Sequence, residues 1–317
     1  MHLDRRVIGV FGANGFIGRA LVRRLLKENR RVVAFSRSFS PDFETAVGAP
    51  VEKRDVNIND ALSIQSMIQD VSHVVQLINS SSPGLANNRV GDDLQSNVVP
   101  HVDFIQSCLA SNVSSFIFVS SGGTVYGEPE YSPIDERHPL RPISSYGMTK
   151  MMVEQYLRML SLQSGMSAVS LRVSNPFGPG QTLKKGQGLI ASILKNHSIG
   201  VPTTVFGDGS SERDYLFIED LMDAFMATLD TPGLREEINI GSGVGRSIRQ
   251  VLTAVEMALG SPLTVEYGPG RPTDTKVNIL DCRKAGALLD WRATTNFDDA
   301  IRRTVSAWKT SPGAQVR

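Results

Sequence analysis

Between Val7 and Leu21 the chain reads V-I-G-V-F-G-A-N-G-F-I-G-R-A-L. An apolar, β-rich run from Val7 to Phe11 stops at Gly12. Glycines follow at Gly15 and Gly18, and Phe16, Ile17, Ala20, Leu21 and Leu25 then recur at helical spacing. Strand, glycine turn and helix in this order leave few folds open. Gly12 permits the tight turn, Gly15 lets the backbone approach a pyrophosphate, and Gly18 lets helix and strand pack closely. The first N–H groups of the helix have no intrahelical acceptor and suit an anion. The stretch predicts a dinucleotide site; the competing reading is a glycine-rich turn without a ligand.

The rest of the first half alternates strand and helix. A helix is expected from about Phe16 to Lys27, a strand over Arg31 to Phe35, and a short strand ending at V-E-K-R-D-V. A helix near Asp60 to Gln69, a strand over His73 to Ile78, one longer helix from about Asp92 to Ser111 and a strand over Ser115 to Val119 follow. Strands apolar on both faces and separated by helices predict an α/β fold, a Rossmann-type doubly wound parallel sheet. Past Leu171 the breakers in N-P-F-G-P-G-Q, and later Pro262, Gly268, Pro269, Gly270 and Pro272, predict a smaller C-terminal substrate-binding lobe. The expected division is 1–174 for the dinucleotide-binding domain, which also receives part of 203–243, and 175–317 mainly for the lobe.

Composition narrows the function classes. A formal charge of +1 over 317 residues gives no reason to expect nucleic acid or an anionic membrane as partner. Two distant cysteines, Cys108 and Cys282, do not make a disulfide framework or a zinc site, so a reducing, cytoplasmic setting is expected. The N-terminal apolar run is too short for a signal peptide or a membrane span. The five histidines, His2, His73, His101, His138 and His197, do not fall at metal-ligand spacing, and no metal is expected.

Chemistry concentrates in two later stretches. F-I-F-V-S-S-G-G-T-V-Y-G, Phe116 to Gly127, is a buried strand ending in hydroxyls and glycines. I-S-S-Y-G-M-T-K sets Tyr146 and Lys150 four apart at the start of a helix, hence on one face. An ammonium beside a phenol favours phenolate, which makes the tyrosine an acid/base near neutrality. The same lysine can reach a ribose hydroxyl. At the end of the second strand Ser36 stands where a ribose-binding acid would select NAD, and Arg37 follows it; this pair favours NADP over NAD.

With these stretches in place, the chain resembles the extended short-chain dehydrogenase/reductases, in particular the NAD-dependent epimerase/dehydratase family typified by UDP-galactose 4-epimerase. The resemblance runs over nearly the whole length. It is carried by the glycine loop, Asp55-Val56, Asn97 in Q-S-N-V-V, S-S-G-G-T-V-Y-G, Tyr146 with Lys150, Leu171 to Pro176, F-G-D-G-S-S-E-R-D-Y-L-F-I-E-D-L, N-I-G-S-G from Asn239, and Arg271-Pro272 before Asp281.

The resemblance implies a nucleotide-diphosphate-sugar 4-epimerase in which a hydride passes from the sugar to a bound nicotinamide and returns, with Tyr146 as acid/base. Its implied cofactor contacts are Gly12, Gly15, Phe16, Ile17, Gly18, Ser36, Arg37, Asp55, Val56, Leu77, Asn97, Ser120, Tyr146 and Lys150. Asn175, Arg213 and Arg271 are implied to hold the diphosphate, although Glu212 and Asp214 flank Arg213 and compete for it. Gly122 stands where the family usually has a catalytic Ser or Thr. Thr124, or failing that Ser121, is expected to supply the missing donor; the competing reading is that both bond the backbone. Gly123 and Thr124 also replace the carboxylates of the dehydratases, which leaves a 4-epimerase or an NADPH-dependent 4-keto-sugar reductase. A non-catalytic NAD(P)-binding regulator is the third reading. Asn278 falls where a bulky tyrosine restricts some relatives to plain hexoses, so UDP-N-acetylhexosamines are expected to fit. Apolar residues on several faces of the helices near Asp92 to Ser111 and Ser145 to Leu162 (Met148, Met151, Met152, Leu157, Met159, Leu160) suggest a homodimer through four helices. Polysaccharide biosynthesis is the setting by resemblance.

Overall fold

The five residues of β1, Val7–Phe11, are all buried, as an apolar run covered on both faces must be. Further along the chain come β2 (Arg31–Ser36), β3 (Glu52–Asp55), β4 (His73–Gln76), β5 (Ser115–Ser121), β6 (Ser167–Val173), β7 (Asn175–Phe177), β8 (Thr203–Phe206), β9 (Glu212–Phe217), β10 (Arg235–Ile240), β11 (Gly245–Ser247), β12 (Val265–Gly268) and β13 (Val277–Asn278). The structure, a computed structural model, describes residues 6–81, 89–111, 113–181, 188–271 and 275–310. His2 and Pro272, named above, lie outside the described residues.

Seven strands form one sheet in the order β10-β6-β5-β4-β1-β2-β3. The pairings of β3 with β2, β2 with β1, β1 with β4 and β4 with β5 are parallel. Because β1 has β2 on one side and β4 on the other, the connections leave it in opposite directions. The carboxyl ends of β1 and β4 are therefore the switch point where ligands of open α/β sheets bind. This is the predicted doubly wound fold.

By its internal contacts the chain divides into two units. One comprises Met1–Ser121, Ser145–Arg172 and Met222–Ile238, and the other Gly122–Ser144, Val173–Leu221 and Asn239–Arg317. Segment 122–144 thus groups with the second unit and 222–238 with the first. The first unit packs on an aromatic stack: Phe11 lies on Phe35 with centroids 4.2 Å apart, Phe104 is 4.5 Å from Phe11, and Phe116 is 5.6 Å from Phe104. In the second unit, β9 pairs antiparallel with β11 and parallel with β13 and β7. Phe177, Phe217 and Tyr215 gather there with Phe297, with Phe177 5.7 Å from Phe297.

The expected helix from Asp92 to Ser111 is two helices, Val90–Asn97 and Val99–Ala110. Pro100 has no N–H to give to Ser96, so the ladder is interrupted there. Helix Ser145–Ser164 runs 20 residues. Among the described residues no helix is long and apolar enough to cross a membrane, and no group of three His, Cys, Asp or Glu could hold a metal.

Candidate active site

The glycine loop has the geometry that its spacing demands. Gly12 takes φ +87°, and a Cβ there would come within 3.2 Å of Ile78 N and of the Leu77 carbonyl carbon. Its N–H and that of Ala13 both donate to Phe35 O, at 2.9 and 3.0 Å. Gly18 is buried, and any side chain on it would fall on Gly12 O and Ala13. Helix Phe16–Lys27 opens at Gly15 with no side-chain cap and no acid in its first turn. Its leading N–H groups, those of Phe16 and Ile17 among them, are thus offered to an anion. Asn14 ties this loop to the segment after β2 by donating to Ser38 O at 3.0 Å, and Arg19 links Asn14, Ser40 and Asp42. Ser36 is half-buried at the end of β2 and Arg37 is exposed. Asp55 is exposed at the end of β3, Val56 is buried, and Leu77 is half-buried just after β4. Buried Gln76 Nε2 and Ser120 Oγ have no partner among the described residues, a state that costs free energy unless a ligand meets them. The residues present fit a dinucleotide.

The catalytic pair sits at the start of helix Ser145–Ser164. Lys150 is buried and donates from Nζ to Val119 O at 2.8 Å. The same nitrogen lies 4.7 Å from the Phe118 ring centroid and 5.8 Å from that of Tyr146. Burial pushes the Lys150 ammonium down to about 7, with Glu154 opposing the fall. The Tyr146 phenol is pushed up to about 12, by burial first and then by the Asp93 carboxylate. Loss of hydration thus works against the acidified phenol expected from the sequence. One turn beyond Lys150, Glu154 is fully buried and holds Arg172 through Nε at 3.2 Å and Nη2 at 2.8 Å.

The helix start is anchored by a chain of side chains. Ser145 Oγ donates to Asp93 Oδ2 at 2.6 Å, and Asn97 Nδ2 donates to Asp93 Oδ1 at 2.7 Å. Asn97 Oδ1 accepts from both Ser80 N and Ser80 Oγ at 2.9 Å. The Asn97 amide, read from sequence as a cofactor contact, is thus spent on fixing the segment after β4. His101 Nε2 donates to Ile78 O at 3.2 Å. Burial and then Lys150 push its imidazole down to about 4, so it is neutral near pH 7. Asp93, His101 and Glu154 were not singled out from sequence; Glu154 alone carried a local signal, four residues after Lys150.

In the second unit, Gly122 N donates to Val173 O at 2.9 Å, and its carbonyl accepts from Asn278 Nδ2 at 3.2 Å. Asn278 is wholly buried, and its Oδ1 has no partner among the described residues. Thr124 Oγ1 is likewise buried and has no partner among the described residues. Ser121, at the end of β5 in the first unit, is half-buried. Asn175 donates to Asp214 O at 2.9 Å. Arg213 is half-buried in β9 and donates to Glu212 O at 2.9 Å. The Asp214 carboxylate, a competitor for Arg213 in sequence, accepts instead from Ser242 N and Oγ, both at 2.7 Å, and from Gly243 N at 3.0 Å. Arg271 is exposed, with its guanidinium 3.5 Å from the Phe206 ring centroid.

Comparison with known proteins agrees with this geometry. Residues 8–241 match the NAD dependent epimerase/dehydratase family. The chain is 31% identical over 313 residues to dTDP-4-dehydro-6-deoxyglucose reductase of Escherichia coli, covering 96% of this chain and 99% of that one. It is 30% identical over 307 residues to UDP-glucose 4-epimerase of Mycolicibacterium smegmatis, covering 95% and 97%. Among solved structures it is similar to the UDP-glucose 4-epimerase of Thermotoga maritima with UDP-glucose (TM-score 0.89, 26% identity, 96% of this chain and 98% of that one). It is also similar to the Thermus thermophilus UDP-glucose 4-epimerase complex with NAD (TM-score 0.88, 28% identity, 96% and 99%). A switch-point glycine loop, a buried lysine one turn from a tyrosine and a match spanning both units lead to one conclusion: the chain belongs to the NAD-dependent epimerase/dehydratase family.

Proposed function

We propose that this enzyme is a nucleotide-diphosphate-sugar 4-epimerase, with UDP-hexoses or UDP-N-acetylhexosamines as substrates. The observation that carries the reading is Lys150, a buried ammonium held on Val119 O with Tyr146 one helical turn away. Tyr146, ionised once the positive charges of Lys150 and of the bound nicotinamide would stand beside it, takes the proton from the sugar hydroxyl and returns it. Lys150, in its protonated form, sets a positive charge beside that phenol and bonds the cofactor ribose. The bound nicotinamide supplies the hydride acceptor and donor. Gly12, Gly15, Phe16, Ile17 and Gly18 hold its pyrophosphate, Asp55, Val56 and Leu77 its adenosine half, and Ser120 its nicotinamide half, with Asn97 shaping the segment that covers it. NADP is the proposed cofactor, because Ser36 offers a hydroxyl and exposed Arg37 a cation to a 2′-phosphate.

Thr124 supplies the hydroxyl that Gly122 lacks, with Ser121 as the substitute; the unpartnered Oγ1 of Thr124 supports this order. Asn175, Arg213 and Arg271 hold the diphosphate, whose binding energy positions the sugar. The unpartnered Oδ1 of Asn278 accepts from the group at C2 of the sugar, which suits an acetamido N–H. The dinucleotide half is proposed to span 1–174 with part of 203–243, and the substrate half mainly 175–317.

An NADPH-dependent 4-keto-sugar reductase is the second reading, favoured by the likeness to dTDP-4-dehydro-6-deoxyglucose reductase. A panel of UDP-, dTDP- and GDP-sugars, followed for sugar products and for reduced-nicotinamide absorbance, separates the two. The epimerase gives a new sugar without net cofactor change, whereas the reductase consumes cofactor. Failure to convert any sugar would leave only a binding protein.

A homodimer is also proposed. Val90, Leu94 and Val99 are exposed on the paired helices Val90–Asn97 and Val99–Ala110, and Met148, Tyr156, Met159 and Leu162 on helix Ser145–Ser164. Leu157, by contrast, is buried in the core. Such apolar exposure is best covered by a second copy; a monomer by light scattering at micromolar concentration would overturn this. Free Cys108 and Cys282 suit the cytoplasmic setting proposed.

A further inference from the structure

Arg246 of β11 stands directly across from Arg213 of β9, with Gly245 opposite Asp214 and Ser247 opposite Glu212. Directly opposed residues put their side chains on one face of the strand pair, about 5 Å apart at Cβ. Two guanidiniums therefore leave this sheet side by side. On the other flank of Arg213 the parallel partner is Asn278. The acids adjacent to Arg213 in sequence sit at alternate positions and face the other way. Asp214 is spent on Ser242 and Gly243.

Like charges directly opposite each other destabilise a strand pair. Arg246 is half-buried, and among the described residues it makes no ion pair; its guanidinium lies over the Phe297 ring, 5.4 Å from the centroid. Ring and neighbours orient its planar fork but do not offset its charge. A row of two cations beside one buried, unpartnered acceptor is matched by a ligand with two linked anionic groups next to a hydrogen-bond donor.

We propose that Arg246 is a further diphosphate-binding residue beside Asn175, Arg213 and Arg271, its fork reaching the phosphates of the nucleotide sugar next to that of Arg213 across the β9–β11 pair. The assignment rests on the nucleotide-sugar reading above. A guanidinium bonds phosphate oxygens in pairs and fixes orientation, which a single flexible cation does not. Asn278, next along the row, then falls beside the sugar carbons nearest the phosphate, where it discriminates the C2 substituent.

Calorimetric titration of the full chain with UDP, dTDP, GDP and inorganic pyrophosphate tests this, using wild type, Arg246→Met and Arg246→Lys. Arg246→Met is expected to weaken every diphosphate that the wild type binds by at least about tenfold. Arg246→Lys should recover part of the loss. Without ligand, Arg246→Met should melt no lower than wild type, because among the described residues Arg246 has no ion pair to lose. Unchanged affinity in Arg246→Met would overturn the assignment and leave the nucleotide-sugar reading standing. Loss of affinity together with a lowered ligand-free melting temperature would overturn it too, by giving Arg246 a packing role on Phe297. A wild type that binds none of the four probes would overturn both.

Discussion

The side-chain amide of Asn278 donates to the carbonyl of Gly122 at 3.2 Å. The residue proposed to choose the sugar thus also pins the loop in which the family's usual hydroxyl is missing. Asn278→Leu, close in volume, is expected to strand the Gly122 carbonyl and cost about 1–3 kcal/mol in urea unfolding. It should also raise KM more for UDP-N-acetylhexosamines than for UDP-hexoses. Equal effects on both substrates would remove the discriminating role.

Thr124→Val separates catalysis from stability. The Thr124 hydroxyl is buried without a partner, a state that costs about 1–3 kcal/mol in a folded protein. The variant should therefore be as stable as wild type or more so, while turnover falls by at least about tenfold. Full turnover in Thr124→Val would shift the role to Ser121.

Tyr146→Phe keeps the ring and removes the proton carrier. Turnover should fall by about 10²–10⁴, with cofactor binding retained. A near-normal rate would end the assignment of Tyr146 as acid/base.

Lys150 links pH to stability. Its ammonium is lowered from 10.5 to about 7 in the fold, so between these values the unfolded chain binds more protons than the native one. Its contribution is fully present above 10.5 and is lost as pH falls through about 7. Urea midpoints measured from pH 7 to 10 should rise with pH in wild type and rise less in Lys150→Met. Parallel curves would show that the ammonium is not held out of water in this way.

The buried pair gives the largest stability effect. Glu154→Gln deprives Arg172 of its carboxylate at 0% and 3% side-chain exposure, and should cost about 3–5 kcal/mol. The double change Glu154→Met with Arg172→Met should recover most of that loss, read from the same unfolding curves.

What was legible in the chain was what local sterics and periodicity determine. Gly12 and Gly18 announced themselves because their positions admit no side chain, and Tyr146 with Lys150 because helical spacing puts them together. The break at Pro100 is also readable, since proline has no N–H for a helix ladder, although the apolar pattern runs on across it. Arg246 was not readable, because its place opposite Arg213 is set by the pairing of strands far apart in the chain. The raised phenol of Tyr146 was missed for a related reason. A lysine four residues away is visible in sequence, but the loss of water around both groups depends on the whole packed sheet. Asn97 stands in the Q-S-N-V-V stretch, and its amide turns inward to Ser80 and Asp93, a pairing that depends on how the segments fold together.

The Glu154–Arg172 pair also limits how this chain can drift. Either residue changed alone leaves a buried charge without the ion-pair partner it has here, so the path to an uncharged pair runs through a damaged ancestor. Lineages should therefore keep both residues or exchange both together.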